Sequence, residues 1–183
     1  MRCMDAFLVT AERSVAGIAA NQHGVIRIDQ LYAAGLSRTM VRRRVGRSQL
    51  HRLFRGVYAV GHTDLGREGR WLAAVFACGD GAVLSHESAA NLWSFSPTCP
   101  PLAHVTVPAS GTRQKRPGIR LHYSRTLTAK DTTSRHNIPV TKPARTRRDL
   151  GWTREPTRSD LERVFLRVIR ATPTTSSTAT RRR

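Results

Sequence analysis

Apolar and polar positions follow two different periods along this chain, and the change between them falls inside Leu31 to Val60. Residues Ala11 to Gln22 carry Val15, Ile18 and Ala19 at helical spacing, and His23-Gly24 ends the run. Val25-Ile26-Arg27 is a short strand candidate, and Asp29-Gln30 opens a helix over Ile28 to Ala34. Gly35 supplies a tight turn, after which Leu36-Ser37 starts a second helix at Arg38. Ser37 can accept from the free N–H groups of the first turn, and Leu36 can pack on Val41 as a staple. On a helical wheel Val41 and Val45 share the core face with Met40 and Arg44 beside it, while Thr39, Arg42, Arg43 and Arg47 lie opposite. After Gly46 the period drops to two: Leu50, Arg52 and Phe54 alternate with His51, Leu53 and Arg55, and Val57 to Val60 follows Gly56. A hairpin turning at Arg55-Gly56 directly after an arginine-rich helix is the order of a winged helix-turn-helix, with Phe54, Val57 and Tyr58 turned inward.

The pattern changes again beyond Val60. Trp71, Leu72, Val75 and Phe76 form an apolar stripe on a helix that Gly79 and Gly81 stop, with Trp71 expected in the core. Ala82 to Leu84 reads as a strand, and Ser85 as the cap of a helix that turns Ala89, Leu92 and Trp93 inward. Three more strands are expected at Ala103 to Val107, Ile119 to Tyr123 and Ile138 to Val140. The loop between the first two is basic and hairpin-like, and Arg113, Lys115 and Arg116 could touch phosphates. Thr141 to Leu150 is a helix with Pro143 in its first turn, where a missing N–H costs nothing. Ser159 to Arg170 is an amphipathic helix with Ser159 and Glu162 as a capping box. Ala171 to Arg183 is small, polar and of low complexity, a composition that cannot bury enough surface to order itself. The fold class expected is α+β: a winged helix-turn-helix over residues 1–62, a small α/β domain over 63–170, and a disordered tail over 171–183.

Charge sharpens this picture. The chain carries a formal net charge of +19. Lys115, Lys130 and Lys142 are its only lysines, so 28 of the 31 basic residues are arginines, whose planar fork suits phosphate and guanine. No stretch approaches the roughly 20 apolar residues of a spanning helix, and the N-terminal apolar run is broken by Asp5 and Glu12, so a cytoplasmic protein with a polyanionic partner is expected, double-stranded DNA before membrane. The DNA-binding candidates are Arg38, Thr39, Arg42, Arg43 and Arg47 on the helix and Arg52 and Arg55 on the wing.

Catalytic and metal chemistry find little support. Cys3, Cys78 and Cys99 are far apart with no CxxC pair, and Cys78 reads as a small core hydrophobe. The seven histidines are scattered without HxxxH spacing, so no metal site or cofactor is expected. Ser85, His86 and Glu87 are catalytic types, but adjacent residues cannot converge as a triad does, and capping and packing are the expected roles. A nuclease would need a Glu-x-Lys beside a second carboxylate, and no glutamate here is followed two positions later by lysine.

Four blocks, NQHGVIRIDQLYAAGLSRTMVRRRVGRSQLHRLFRGVYAVGH, REGRWLAAVFACGDGAVLSHESAANLW, GIRLHYSR and NIPVTKPARTRRDL, in this order and spacing, resemble the AbiEi-like antitoxin family of type IV toxin–antitoxin systems. The resemblance implies a winged helix-turn-helix that binds inverted repeats in its own promoter, a small α/β domain, no enzymatic activity, and a nucleotidyltransferase-like toxin as an indirect partner. Many actinobacterial relatives continue into a restriction-endonuclease-like domain, which these 183 residues do not contain. Arg147 stands where relatives usually have an apolar residue, which is expected to weaken packing there. Three readings follow: a DNA-binding regulator of antitoxin type; a module that neutralises a toxin without a specific DNA role; and the targeting part of a restriction-endonuclease-like protein.

Overall fold

The computed structural model describes residues 2–109 and 115–152, with side chains from residue 10 onward. The helix expected at 159–170, the tail from 171 and the role read for Arg113 lie outside the described residues.

Helix α1 (Arg2–Asn21) begins well before the Ala11 expected from the apolar spacing. The chain has no glycine or proline between Arg2 and Gly17, so nothing in it stops the helix from extending. The helix ends as expected, with His23 and Gly24 at φ 53° and 82°. The next elements are β1 (Val25–Arg27), α2 (Ile28–Ala33), α3 (Arg38–Gly46), β2 (Leu50–Phe54) and β3 (Val57–Val60). The three strands form one antiparallel sheet in the order β1-β3-β2. Ala11, Val15, Ile26, Leu31, Leu36, Val41 and Leu50 make one buried cluster, so α1, α2, α3 and the sheet close on a single small core. Val45 departs from expectation: it is exposed, although it shares the wheel face of buried Val41.

The other face of that sheet is covered by α4 (Arg67–Cys78). Val25, Val57 and Ala59 are buried together with Leu65, Ala73 and Ala77, and half-buried Phe54 packs against them. Closeness is enforced at Gly69, where an added Cβ would lie 2.7 Å from the His23 carbonyl oxygen. Side-chain bonds join the same regions: Arg27 reaches Asp80 at 3.0 Å, and Asn137 donates to the Asn21 carbonyl at 2.8 Å.

A second, mixed sheet has the order β6-β5-β4-β8-β7. Its strands are β4 (Val83–Leu84), β5 (Ala103–Pro108), β6 (Ile119–Ser124), β7 (Thr132–Arg135) and β8 (Ile138–Thr141), with a 3₁₀ turn at Ala129–Asp131 before β7. Trp71, Leu72, Val75 and Cys78 of α4 cluster with Leu84, Val105, Val107, Ile138 and Val140. Buried Cys78 thus takes the core role expected of it. The two remaining helices, α5 (His86–Leu92) and α6 (Pro143–Asp149), pack on each other, and α5 packs on β5. Buried polar residues line this contact: Ser85, His104, Thr106 and Thr141, on the side of the sheet opposite Leu84, Val105 and Val140, together with Ser88 of α5 and Thr146 of α6. Helices and two separate sheets give the α+β class, and no helix among the described residues is long and apolar enough to cross a membrane.

Four expectations are corrected here. Strands β5 and β6 pair in parallel, Ala103 opposite Ile119 and Pro108 opposite Ser124, so the basic segment between them does not join a hairpin. Strand β7 was not expected, because Thr132 to Arg135 has no apolar residue; its partner β8 supplies the buried side of that pair. Ser85 stands at the N-cap of α5 but makes no side-chain cap bond; its hydroxyl accepts from Thr106 Oγ1 at 2.7 Å instead. Finally, the scattered histidines are not all apart in space: the rings of His86, His104 and His122 meet at the α5 side of the sheet. Arg145, next to the expected departure at Arg147, is itself buried. Its guanidinium lies 2.7 Å from Asp149 and 3.4 Å from Asp131, and donates to Ser124 Oγ and the Thr126 carbonyl. The buried side of α6 is therefore Arg145 and Thr146, with Arg147 half-exposed beside them.

Candidate nucleic-acid interface

The site is built from the turn upward. Gly35, at φ 92°, takes a backbone conformation that L side chains rarely adopt, and its N–H donates to the Tyr32 carbonyl at 2.9 Å. The Leu36 N–H closes the turn on Leu31 at 3.1 Å, and both leucines are buried. Ser37 then caps α3: its backbone is extended and its hydroxyl accepts from the Met40 N–H at 3.2 Å. Leu36 and Val41 belong to one buried cluster, as a staple across the helix start requires. Cap and staple together set the direction in which α3 leaves the turn.

With Val41 pointing inward, Arg38, Thr39, Arg42, Arg43 and Arg47 are all exposed. Arg44 is different: it lies 3.1 Å from Glu12 and ties α3 to α1, so its charge is already matched. The chain leaves α3 through Ser48, at φ 57°, and runs into β2, which packs beside α3. Strands β2 and β3 pair from Leu50–Val60 to Phe54–Val57, with a bulge between Arg52 and Phe54. Gly56, at φ 76°, makes the turn, and its carbonyl accepts from the Ile28 N–H at 2.8 Å, which anchors the hairpin tip to the start of α2. Arg52 and Arg55 are exposed on this hairpin, while Val57 is buried and Phe54 and Tyr58 are half-buried against the clusters behind it.

Five of the candidate residues therefore share the outer side of one helix, and two sit on the hairpin beside it. None of the six arginines among them has a carboxylate within ion-pair distance among the described residues. By contrast, Arg27, Arg44, Arg67, Arg145 and Arg148 do. Six unmatched guanidinium groups on one module make a cationic surface that favours phosphate, and their forks can also pair with guanine edges. Among the described residues no group of three His, Cys, Asp or Glu side chains is arranged to hold a metal ion. What sequence reasoning missed is the polar seam under α5 and α6, although a signal for it was present. His104-x-Thr106 and His122-x-Ser124 each place two polar groups on one face of a strand whose other face is apolar.

Comparison with known proteins bears on the same segment. A family model described as "Transcriptional regulator, AbiEi antitoxin" matches residues 15–61. No curated protein matches the chain. Among solved structures the chain is similar to the RV2827C protein from Mycobacterium tuberculosis, at 20% sequence identity and a TM-score of 0.38, over 63% of this chain and 45% of that one. The match thus spans less than half the length of that protein. The matched family segment runs from within α1 to the end of the β2–β3 hairpin, so the part of the chain that carries the capped helix and the wing is the part that matches the AbiEi antitoxin family of transcriptional regulators.

Proposed function

We propose that this protein is a DNA-binding transcriptional regulator of the antitoxin type, which lays α3 in the major groove and the β2–β3 wing along the adjacent backbone. The observation that carries this reading is the set of six exposed arginines on α3 and the wing with no carboxylate partner among the described residues. Arg38, Thr39 and Arg42 lie in the first turn and a half of α3 and are the base-reading set. Arg43, Arg47, Arg52 and Arg55 hold phosphates. In this reading residues 1–62 are the DNA-binding domain and residues 63–170 a small α/β antitoxin-like domain, with a nucleotidyltransferase-like toxin of a type IV system as an indirect functional partner. The chain itself acts as a non-enzymatic binder in the cytoplasm.

The test is duplex binding as a function of salt. Each phosphate held by arginine releases condensed counterions and adds ~0.9 to the slope of log affinity against log salt. Contacts from the four phosphate-holding arginines alone give a slope of about −3.6. A response flat in salt would show that these arginines do not hold a nucleic-acid backbone.

A further inference from the structure

His86, His104 and His122 come from three elements: the first residue of α5, the second residue of β5 and the middle of β6. In the parallel register His104 pairs with Arg120 and Thr106 with His122, so these side chains share the sheet face that α5 covers. The His86 and His122 rings are stacked, 3.7 Å between centroids and 13° between planes. The His104 ring lies 5.3 Å from His122 and 6.2 Å from His86. His86 holds φ at 48°, a strained value for a residue other than glycine, which persists only where the surroundings fix it. The stack and a 3.0 Å bond between His86 Nδ1 and Ser85 Oγ hold its ring.

Hydrogen-bond inventory then decides the charge state. A neutral imidazole has one N–H and one lone pair, whereas a protonated one must donate from both nitrogens. His104 Nε2 faces Glu87 Oε2 at 3.2 Å, but its Nδ1 is buried without a partner. The Nε2 of His122 is likewise buried and unpartnered. A proton on either ring would therefore create a buried N–H with no acceptor, beside two other rings. The charged groups around the cluster do not change this balance. From α5 comes Glu87, which is mostly exposed; from β6 comes Arg120, which repels a proton. From α6 come Asp149, already 2.7 Å from Arg145, and Arg145 itself.

We propose that this cluster is an acid-sensitive latch: while its three rings are neutral it clamps the first turn of α5 onto the β5–β6 part of the sheet, and protonation opens it. The electrostatics agree in direction. Burial lowers the pKa of His86 and of His104, and burial together with the neighbouring His86 and His104 rings and Arg120 pushes His122 down from 6.5 to about 4. Folded values below the unfolded one mean that the unfolded or opened chain takes up protons first as pH falls. Stability is thus full above pH 6.5 and is lost progressively toward pH 4, each such group raising the opening constant up to tenfold per pH unit. The latch is separate from the DNA-reading surface, since none of its groups lies on α3 or the wing.

The experiment uses the full chain. Imidazole Cε1 resonances are titrated by NMR, and the unfolding constant is measured at pH 6.5 and pH 4.5 for the wild type and for His122→Phe, which keeps a ring in the stack but cannot take a proton. Expected are a His122 resonance that titrates far below 6.5 and a rise in the unfolding constant between the two pH values that is up to about 40-fold smaller in the variant. Protection factors in α5, corrected for the intrinsic slowing of base-catalysed amide exchange, should fall in the wild type from pH 7 to pH 5 more than those in β8. Ordinary titration of all three rings near pH 6.5, or an equal rise in both proteins, overturns the proposal. If His122→Phe does not fold at pH 7.5, the wild-type titration and exchange decide alone.

Discussion

Arg42 and Arg44 are two positions apart on one helix and have different fates, which shows how little residue type alone decides. Arg44 lies over α1 and is matched by Glu12 at 3.1 Å; Arg42 is exposed and unmatched. The Arg44 side chain is only 15% exposed although Glu12 is mostly exposed, so Arg44→Ala loses packing as well as the pair; it should cost about 1 kcal/mol of stability and leave DNA affinity nearly unchanged. Arg42→Ala should lower affinity for the specific site by ~1–3 kcal/mol and for scrambled duplex much less, because a fork paired to guanine distinguishes bases. Arg55→Ala, on the wing, should weaken both duplexes about equally and reduce the salt slope by ~1. Competition binding with the two duplexes measures all three. Equal losses for Arg42→Ala and Arg55→Ala on both duplexes would reduce the arginine face to a nonspecific phosphate grip.

At the scale of elements, two helical glycines make opposite predictions. Gly17, inside α1 four residues before its end, is exposed and has nothing within 4 Å of an added Cβ, so Gly17→Ala removes only unfolded-state freedom and should stabilise by about 0.5–1 kcal/mol. Gly69, in the first turn of α4, has the His23 carbonyl oxygen 2.7 Å from that position and Leu65 Cβ at 3.2 Å. Gly69→Ala must push α4 away from the turn before β1, opening the cluster that Val25, Val57 and Ala59 share with Ala73 and Ala77. Thermal denaturation should show a higher Tm for the first variant and a lower one for the second. A neutral Gly69→Ala would mean that α4 does not sit against the His23 turn as closely as this.

Across residues Met1–Gly151, which form one compact unit, α4 is the element common to both sheets. Trp71 is 3% exposed on it, so Trp71→Ala should cost about 3–5 kcal/mol of stability. The fraction that remains folded should bind DNA normally. Unchanged stability with lost binding would instead make Trp71 a nucleic-acid stacking residue. Acid should act on the unit in two ranges. The histidine latch opens between pH 6.5 and about 4. Asp131 has its pKa lowered by hydrogen bonds from the Thr128 N–H and hydroxyl. Its contribution is present above the unfolded value of 3.8 and is lost only as pH falls below that. A circular-dichroism titration should therefore show loss beginning on the histidine side.

Local rules, read from the sequence alone, determined the winged helix almost to the residue: Ser37 as cap, Gly35 and Gly56 as turns, Val41 inward, the arginines outward. They also placed α4, β5, β6, β8 and α6, because apolar period, glycine stops and a first-turn proline act over a few neighbouring residues. What they could not show depends on residues far apart in the chain. Val45 shares a wheel face with Val41, but helical spacing does not say how far the partner element extends along that face, and Val45 is left exposed. Strand β7 has no apolar signal of its own and exists because β8 lies beside it. The direction of β6 was misread because a short basic loop looks the same before a parallel or an antiparallel partner. Arg145 reads as one more cation until Asp149 and Asp131 enclose it, and three histidines 18 residues or so apart become one cluster only when α5 closes over β5 and β6. Only the tertiary structure brings such side chains together, because a buried polar group is stable only beside partners that the chain's neighbouring residues do not supply.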